Sequence, residues 1–168
     1  MKMSFGVKFA GLVVLQLLVL CGLMAYKGMP LLSGRKVVLK TVPVDPRDWF
    51  RGDYVILRYE ISTVELGQWN QRAPEVGDTA YVRLAKFGEF WVASGVHTSA
   101  PAGDDVYIRG RVTGVGAGSV MMEYGIESYF IPEGTGHEYE RQRHLAVEVM
   151  IDDKGLATIK DVQPGSDR

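Results

Sequence analysis

One cysteine in 168 residues leaves little room for thiol chemistry. Cys21 lies inside an apolar run, so the remainder of the chain can form neither a disulfide nor a thiolate metal site. A strong charge of either sign is also missing: the formal net charge is -1. No acidic residue precedes Lys27, whereas Lys2 and Lys8 do, which leaves 17 Lys+Arg against 20 Asp+Glu in the rest. That mildly acidic balance gives no electrostatic reason to expect nucleic acid or anionic lipid as a partner. No long helical pattern is needed after the apolar start. The 20 glycines and 7 prolines instead imply many turns and a β-rich domain.

What is present begins with Phe9 to Tyr26, FAGLVVLQLLVLCGLMAY, in which only Gln16 is strongly polar. Eighteen residues at ~1.5 Å each span ~27 Å, close to the hydrocarbon thickness of a bilayer. A cleaved signal peptide needs small residues at -3 and -1, yet cuts after Ala25 or Gly22 place Leu23 or Leu20 at -3. Lipidation at Cys21 would place Leu20 where a small residue is required. The run therefore reads as a retained signal-anchor, with Phe9, Leu12, Leu15, Leu18, Leu20 and Tyr26 facing lipid. Lys2 and Lys8 favour an N-terminus inside the cell; Lys27, Arg35, Lys36 and Lys40 argue the other way. The first orientation is preferred because a folded domain translocates largely regardless of charge.

The expected organisation is an anchor over 1–27, a linker over 28–35, a β domain over 36–163 and a polar tail over 164–168. About nine or ten short strands are expected, spaced as in a barrel or sandwich. Lys36 to Val44 reads as the first, followed by turns at Asp45-Pro46-Arg47-Asp48 and Arg51-Gly52-Asp53. Tyr54 to Ile61 is the clearest strand: Val55, Leu57, Tyr59 and Ile61 share one face, expected to meet the core. Ser62 to Gln71 is ambiguous, with a short helix capped by Ser62 or Thr63 as one reading and Trp69 in a polar loop. Hairpins are expected around Gly88, around Gly116-Ala117-Gly118 and around Asp152-Asp153-Lys154-Gly155.

Gly52-Asp53-Tyr54-Val55-Ile56-Leu57-Arg58-Tyr59 resembles the signature of the bacterial GDYXXLXY family at all five defining positions. The apolar start, Asp45 to Asp48 and a later Phe130-Ile131-Pro132-Glu133-Gly134 resemble its wider context. The resemblance implies a membrane-associated protein, often encoded beside multi-spanning membrane proteins, and implies no reaction. With it, the chain is expected as a single-pass protein of the bacterial inner membrane with a periplasmic domain. From their residue types, Gly52 and Asp53 suit a tight turn, while Leu57 and Tyr59 suit a strand that locks onto the core. Trp49, Phe50, Arg51 and Tyr54 are the first places to look for a docking surface. Arg51 to Val55 and Val76 to Val82 are also similar to the Gly-Asp turn of signal-peptidase-like β folds. That family needs a nucleophilic Ser and a Lys base, and the region between anchor and motif holds only Ser33, with no Ser-Met-x-Pro pattern, so a shared architecture is implied and a shared activity is not.

Candidate chemistry is thin. His137 and His144 are seven apart, not four as in a zinc-protease helix, so no metal is expected. His97, Ser99 and Asp104 or Asp105 could be drawn as a triad, but the strained turn that presents a nucleophile is absent. Gly114 to Gly118 leads to no lysine and no helix start, so it is read as a hairpin turn. The expectation is a non-enzymatic accessory or interaction subunit for an integral membrane protein, with no cofactor. The alternatives are an exported hydrolase, or an envelope ligand-binding module using Trp69 or Trp91.

Overall fold

The computed structural model describes residues 5–43, 54–69, 73–130 and 144–165. Within the N-terminal helix, side chains are described for Gly6, Phe9 and Gly11 to Met24. Asp45 to Asp53, Ile131 to Gly134 and His137 lie outside the described residues, as does the side chain of Tyr26.

Helix α1 runs from Phe5 to Ser33. Gly28 and Pro30, expected to form a linker, fall within its last two turns, where they lower helix propensity without ending the helix. Only Gly34 separates α1 from β1 (Arg35–Lys40). Phe9, Leu12, Leu15, Leu18 and Leu20 are all exposed, as are Val13, Val14, Leu17, Val19 and Leu23, so apolar surface is uncovered on every side. Among the described residues, no helix is long and apolar enough to cross a membrane.

Among the described residues ten strands follow, and they form a nearly closed, barrel-like sheet. They are β1, β2 (Tyr54–Ile56), β3 (Thr63–Glu65), β4 (Thr79–Phe87) and β5 (Phe90–His97), then β6 (Tyr107–Val115), β7 (Ser119–Glu123), β8 (Ser128–Phe130), β9 (Leu145–Ile151) and β10 (Ala157–Pro164). Hydrogen bonding groups them as β1-β9-β10, β2-β8 and β3-β7-β6-β4-β5. Single bridges between Thr41 and Tyr59, and between Trp69 and Val96, tie short segments across these groups. The hairpins β4–β5, β6–β7 and β9–β10 turn at the three glycine-containing segments expected from the sequence.

Inward-facing Val37, Leu39, Val82, Ile108, Val112, Val120, Leu145, Val147 and Val149 are fully buried and make one continuous core. Each such aliphatic side chain contributes about 1.5–3 kcal/mol by leaving water. On the outer face, Glu148 of β9 accepts from Lys36 of β1 at 2.6 Å and Lys160 of β10 at 2.7 Å. The hydrogen bond from Lys160, then that from Lys36, holds its carboxyl below the usual range. Both lysines are more than half exposed, so this clasp across three strands contributes little, about 0–1 kcal/mol per pair.

Three further expectations change. The Tyr54–Ile61 segment is not one strand. It pairs with β8 as far as Ile56, then leaves that partner so that Tyr59 can bridge Thr41 of the first sheet, with the Val42 N–H donating to the Arg58 carbonyl at 2.8 Å. A 3-10 turn over Glu60–Ser62 completes the corner. Ser62 to Gln68 holds no α-helix: β3 pairs with β7, and a second 3-10 turn spans Leu66–Gln68. Trp69 is buried beside Val96 and not exposed in a polar loop, and Trp91 is half-buried against the core.

Candidate functional site

The described part of the Gly52–Tyr59 motif turns the chain between two sheets. Along it, Val55, Leu57, Tyr59 and Ile61 are buried, while Tyr54, Arg58 and Glu60 are exposed. The alternation comes from the two-residue strand period, and it survives the corner because Leu57 and Arg58 remain extended enough to pair. The Leu57 N–H donates to the Glu127 carbonyl at 2.8 Å, so the motif is fastened just beyond β2 to the segment just before β8.

Two tyrosines close this corner reciprocally. The Tyr59 hydroxyl donates to the Ile126 carbonyl at 2.6 Å. The Tyr124 hydroxyl donates to the Ile61 carbonyl at 2.5 Å. Each segment thus supplies a ring that fills the core and an O–H that satisfies a buried carbonyl of the other. The Tyr59 segment is further held by its own turn, with the Ser62 N–H donating to the Tyr59 carbonyl at 2.9 Å and the Tyr59 N–H donating to the Ser62 hydroxyl at 3.1 Å.

The opposing turn is built around Gly125, whose φ of +80° is open to glycine and strained for other residues. The Glu127 carboxylate accepts the N–H groups of Tyr124 at 2.6 Å and Gly125 at 2.8 Å. The Tyr124 ring rests on Gly110 of β6, where an added Cβ would come within 2.8 Å of the ring and 2.9 Å of the Glu123 carbonyl oxygen. Sequence reasoning missed Tyr124, Glu127 and Gly110. The only signal was a Tyr-Gly-x-Glu turn immediately after an alternating strand.

Burial, followed by the nearby Glu127 carboxylate, pushes both the Tyr59 and Tyr124 phenols far above their ordinary range. Their folded forms therefore keep the proton at pH values where the unfolded chain has lost it. Stability from the pair is complete below the ordinary phenol value of about 10 and falls as pH rises toward the folded values. Two such groups give a slope of roughly 3 kcal/mol per pH unit once the unfolded chain's phenols are ionised. Denaturant unfolding of the full chain in detergent between pH 8 and 11.5 measures it; replacing both by phenylalanine should remove that slope.

The same corner presents an exposed aromatic pair. Tyr54 and Phe130 face each other across β2 and β8, with ring centroids 5.5 Å apart at 73°, and are 51% and 57% exposed. Beside them, a cleft of about 400 Å³ lies between β8 and β10, lined by Ile126, Tyr129, Phe130, Ala157, Thr158 and Ile159. Among the described residues β8 pairs only with β2 and β10 only with β9, so two strand edges face one another without joining.

The other residues singled out from the sequence are not gathered into a site. Asp104 holds Arg35 and Asp105 holds Arg83, which commits both carboxylates away from His97. Asp152 accepts the N–H groups of Lys154 and Leu156 in its own turn. These acidic residues, with Arg35 and Tyr107, line a second cleft of about 410 Å³. His144 packs edge-on against Phe90, at the far end of the same strand as His97. Among the described residues, no group of three or more His, Cys, Asp or Glu is placed to hold a metal ion.

In comparison with known proteins, the family model described as GDYXXLXY protein matches residues 16–162, and the chain belongs to that family. No curated protein and no solved structure matches it.

Proposed function

Starting from a member of the GDYXXLXY family, we propose that this protein is a membrane-anchored, non-enzymatic β domain of the periplasmic face that serves as an accessory subunit for an integral membrane protein. The observation that carries the reading is α1. Its apolar side chains are exposed on every side, a condition that suits lipid and is costly in water. The full Phe9 to Tyr26 run is ~27 Å long at ~1.5 Å per residue, enough to span the hydrocarbon layer.

The docking face of this reading is the β2–β8 corner beside the cleft. Tyr54 and Phe130 form an exposed aromatic pair beside unjoined strand edges, and aromatic anchors dominate most protein interfaces. The Tyr59–Tyr124 clasp holds that face rigid from behind. In this role the motif's buried residues position a surface and do no chemistry of their own.

Two measurements test it. Alkaline carbonate washing of native membranes should leave the chain in the pellet. Extraction in mild detergent should then recover it with a multi-spanning membrane protein, and Tyr54→Ala with Phe130→Ala should reduce that recovery roughly tenfold or more. Recovery of the washed, intact chain always alone would remove the accessory role.

A further inference from the structure

Gln16 is the one strongly polar residue between Phe9 and Tyr26, and it is exposed on α1. Among the described residues its side chain makes no hydrogen bond. At ~1.5 Å per residue it stands within about 2–3 Å of the middle of that run. A primary amide there has one carbonyl acceptor and two N–H donors with no water to meet them.

We infer that α1 pairs with α1 of a second copy of this chain through Gln16. The inference rests on the anchoring reading above and names a partner for the helix that the reading leaves open. Copies of a single-pass protein insert with one orientation, so Gln16 of each stands at the same depth. A foreign helix would need a polar group at that depth by coincidence; a second copy has it by construction. The amide is self-complementary: each can donate one N–H to the other's carbonyl, and no charge is brought together.

The neighbouring positions fit. Phe9, Leu12, Gln16, Val19 and Leu23 are spaced alternately three and four apart, the period of a parallel two-helix seam. All five lie within about 60° of the Gln16 direction on a helix of 3.6 residues per turn. The four apolar members are exposed, so nothing in the domain occupies this stripe. One polar residue in such a seam fixes register and copy number, and an interhelical amide contact in lipid strengthens pairing.

The test uses full-length protein in its native membranes, with Cys21→Ser to remove the only native thiol. Single cysteines are introduced on the proposed face (Leu12→Cys, Val19→Cys, Leu23→Cys) and on the opposite face (Val14→Cys, Leu18→Cys). After mild oxidation, disulfide-linked dimer should form on the first set and stay at background on the second. Adding Gln16→Leu to Val19→Cys should weaken association roughly 3- to 30-fold, and Gln16→Asn should largely restore it. These changes lie outside the β core, so domain folding is not at issue. Equal cross-linking on both faces, or no loss with Gln16→Leu, overturns the pairing while the carbonate-washed pellet still holds the chain. A chain absent from that pellet overturns the anchoring reading and the pairing together.

Discussion

Replacing both Tyr59 and Tyr124 by phenylalanine should lower the unfolding free energy of the full chain by about 2–6 kcal/mol. Each substitution keeps the ring and removes only the hydroxyl, so packing is preserved and the loss comes from hydrogen bonding. The carbonyls of Ile126 and Ile61 are then left in a buried corner without their donors. Leaving a buried acceptor unsatisfied costs about 1–3 kcal/mol. The two contacts join the same pair of segments, so the double substitution should differ from the sum of the singles by ~0.5 kcal/mol or more. Guanidinium unfolding in detergent, followed by near-ultraviolet circular dichroism, measures all four proteins. If each single substitution changes stability by less than ~0.5 kcal/mol, the clasp does not hold the corner.

Gly110→Ala is expected to damage the barrel severely. The new Cβ would meet the Tyr124 ring at 2.8 Å and the Glu123 carbonyl oxygen at 2.9 Å. The second neighbour is backbone of the paired strand β7 and cannot swing away as a side-chain tip can. Overpacking of this kind typically costs about 1–3 kcal/mol. Here the displaced ring also takes its hydroxyl off Ile61, adding about 1–3 kcal/mol. Gly67→Ala, at a position with open space around it, is the control and should leave stability nearly unchanged. Hydrogen exchange should show the Gly110→Ala loss concentrated in Ile61 to Val64 and Tyr124 to Tyr129. Uniform loss across β9 and β10 instead would argue against local displacement of the ring.

Much of this corner was legible, and the illegible parts share a cause. Val55, Leu57, Tyr59 and Ile61 could be placed on the core face because strand period alone decides that. The hairpins were legible because their turns lie next to the strands they join. The break after Ile56 was not, because it reflects a change of partner from β8 to Thr41, and pairing partners are not written locally. The same holds for β3, a three-residue strand that exists through its pairing with β7. Tyr124 was invisible as a counterpart of Tyr59 because the two lie far apart in sequence and meet only when the barrel curls. Glu127 looks like any solvated acid until the turn at Gly125 brings two N–H groups to it. The helix overran its expected end because Gly28 and Pro30 weaken a helix in isolation, whereas here it continues to within one residue of β1.

The junction at Gly34 has a mechanical meaning. One residue at ~3.5 Å of reach is no tether, so a domain joined this way cannot swing outward to search for a distant target. A glycine alone could still act as a pivot. α1 also touches the domain at β9 and β10, which stiffens the joint from the side. With α1 in a bilayer, the barrel would sit on the headgroup layer with a fixed heading, and turning the helix about its own axis would sweep the β8–β10 cleft around like the hand of a dial. A pair of helices locked in register would then set the bearing of both barrels, so that the direction each domain faces is decided inside the membrane.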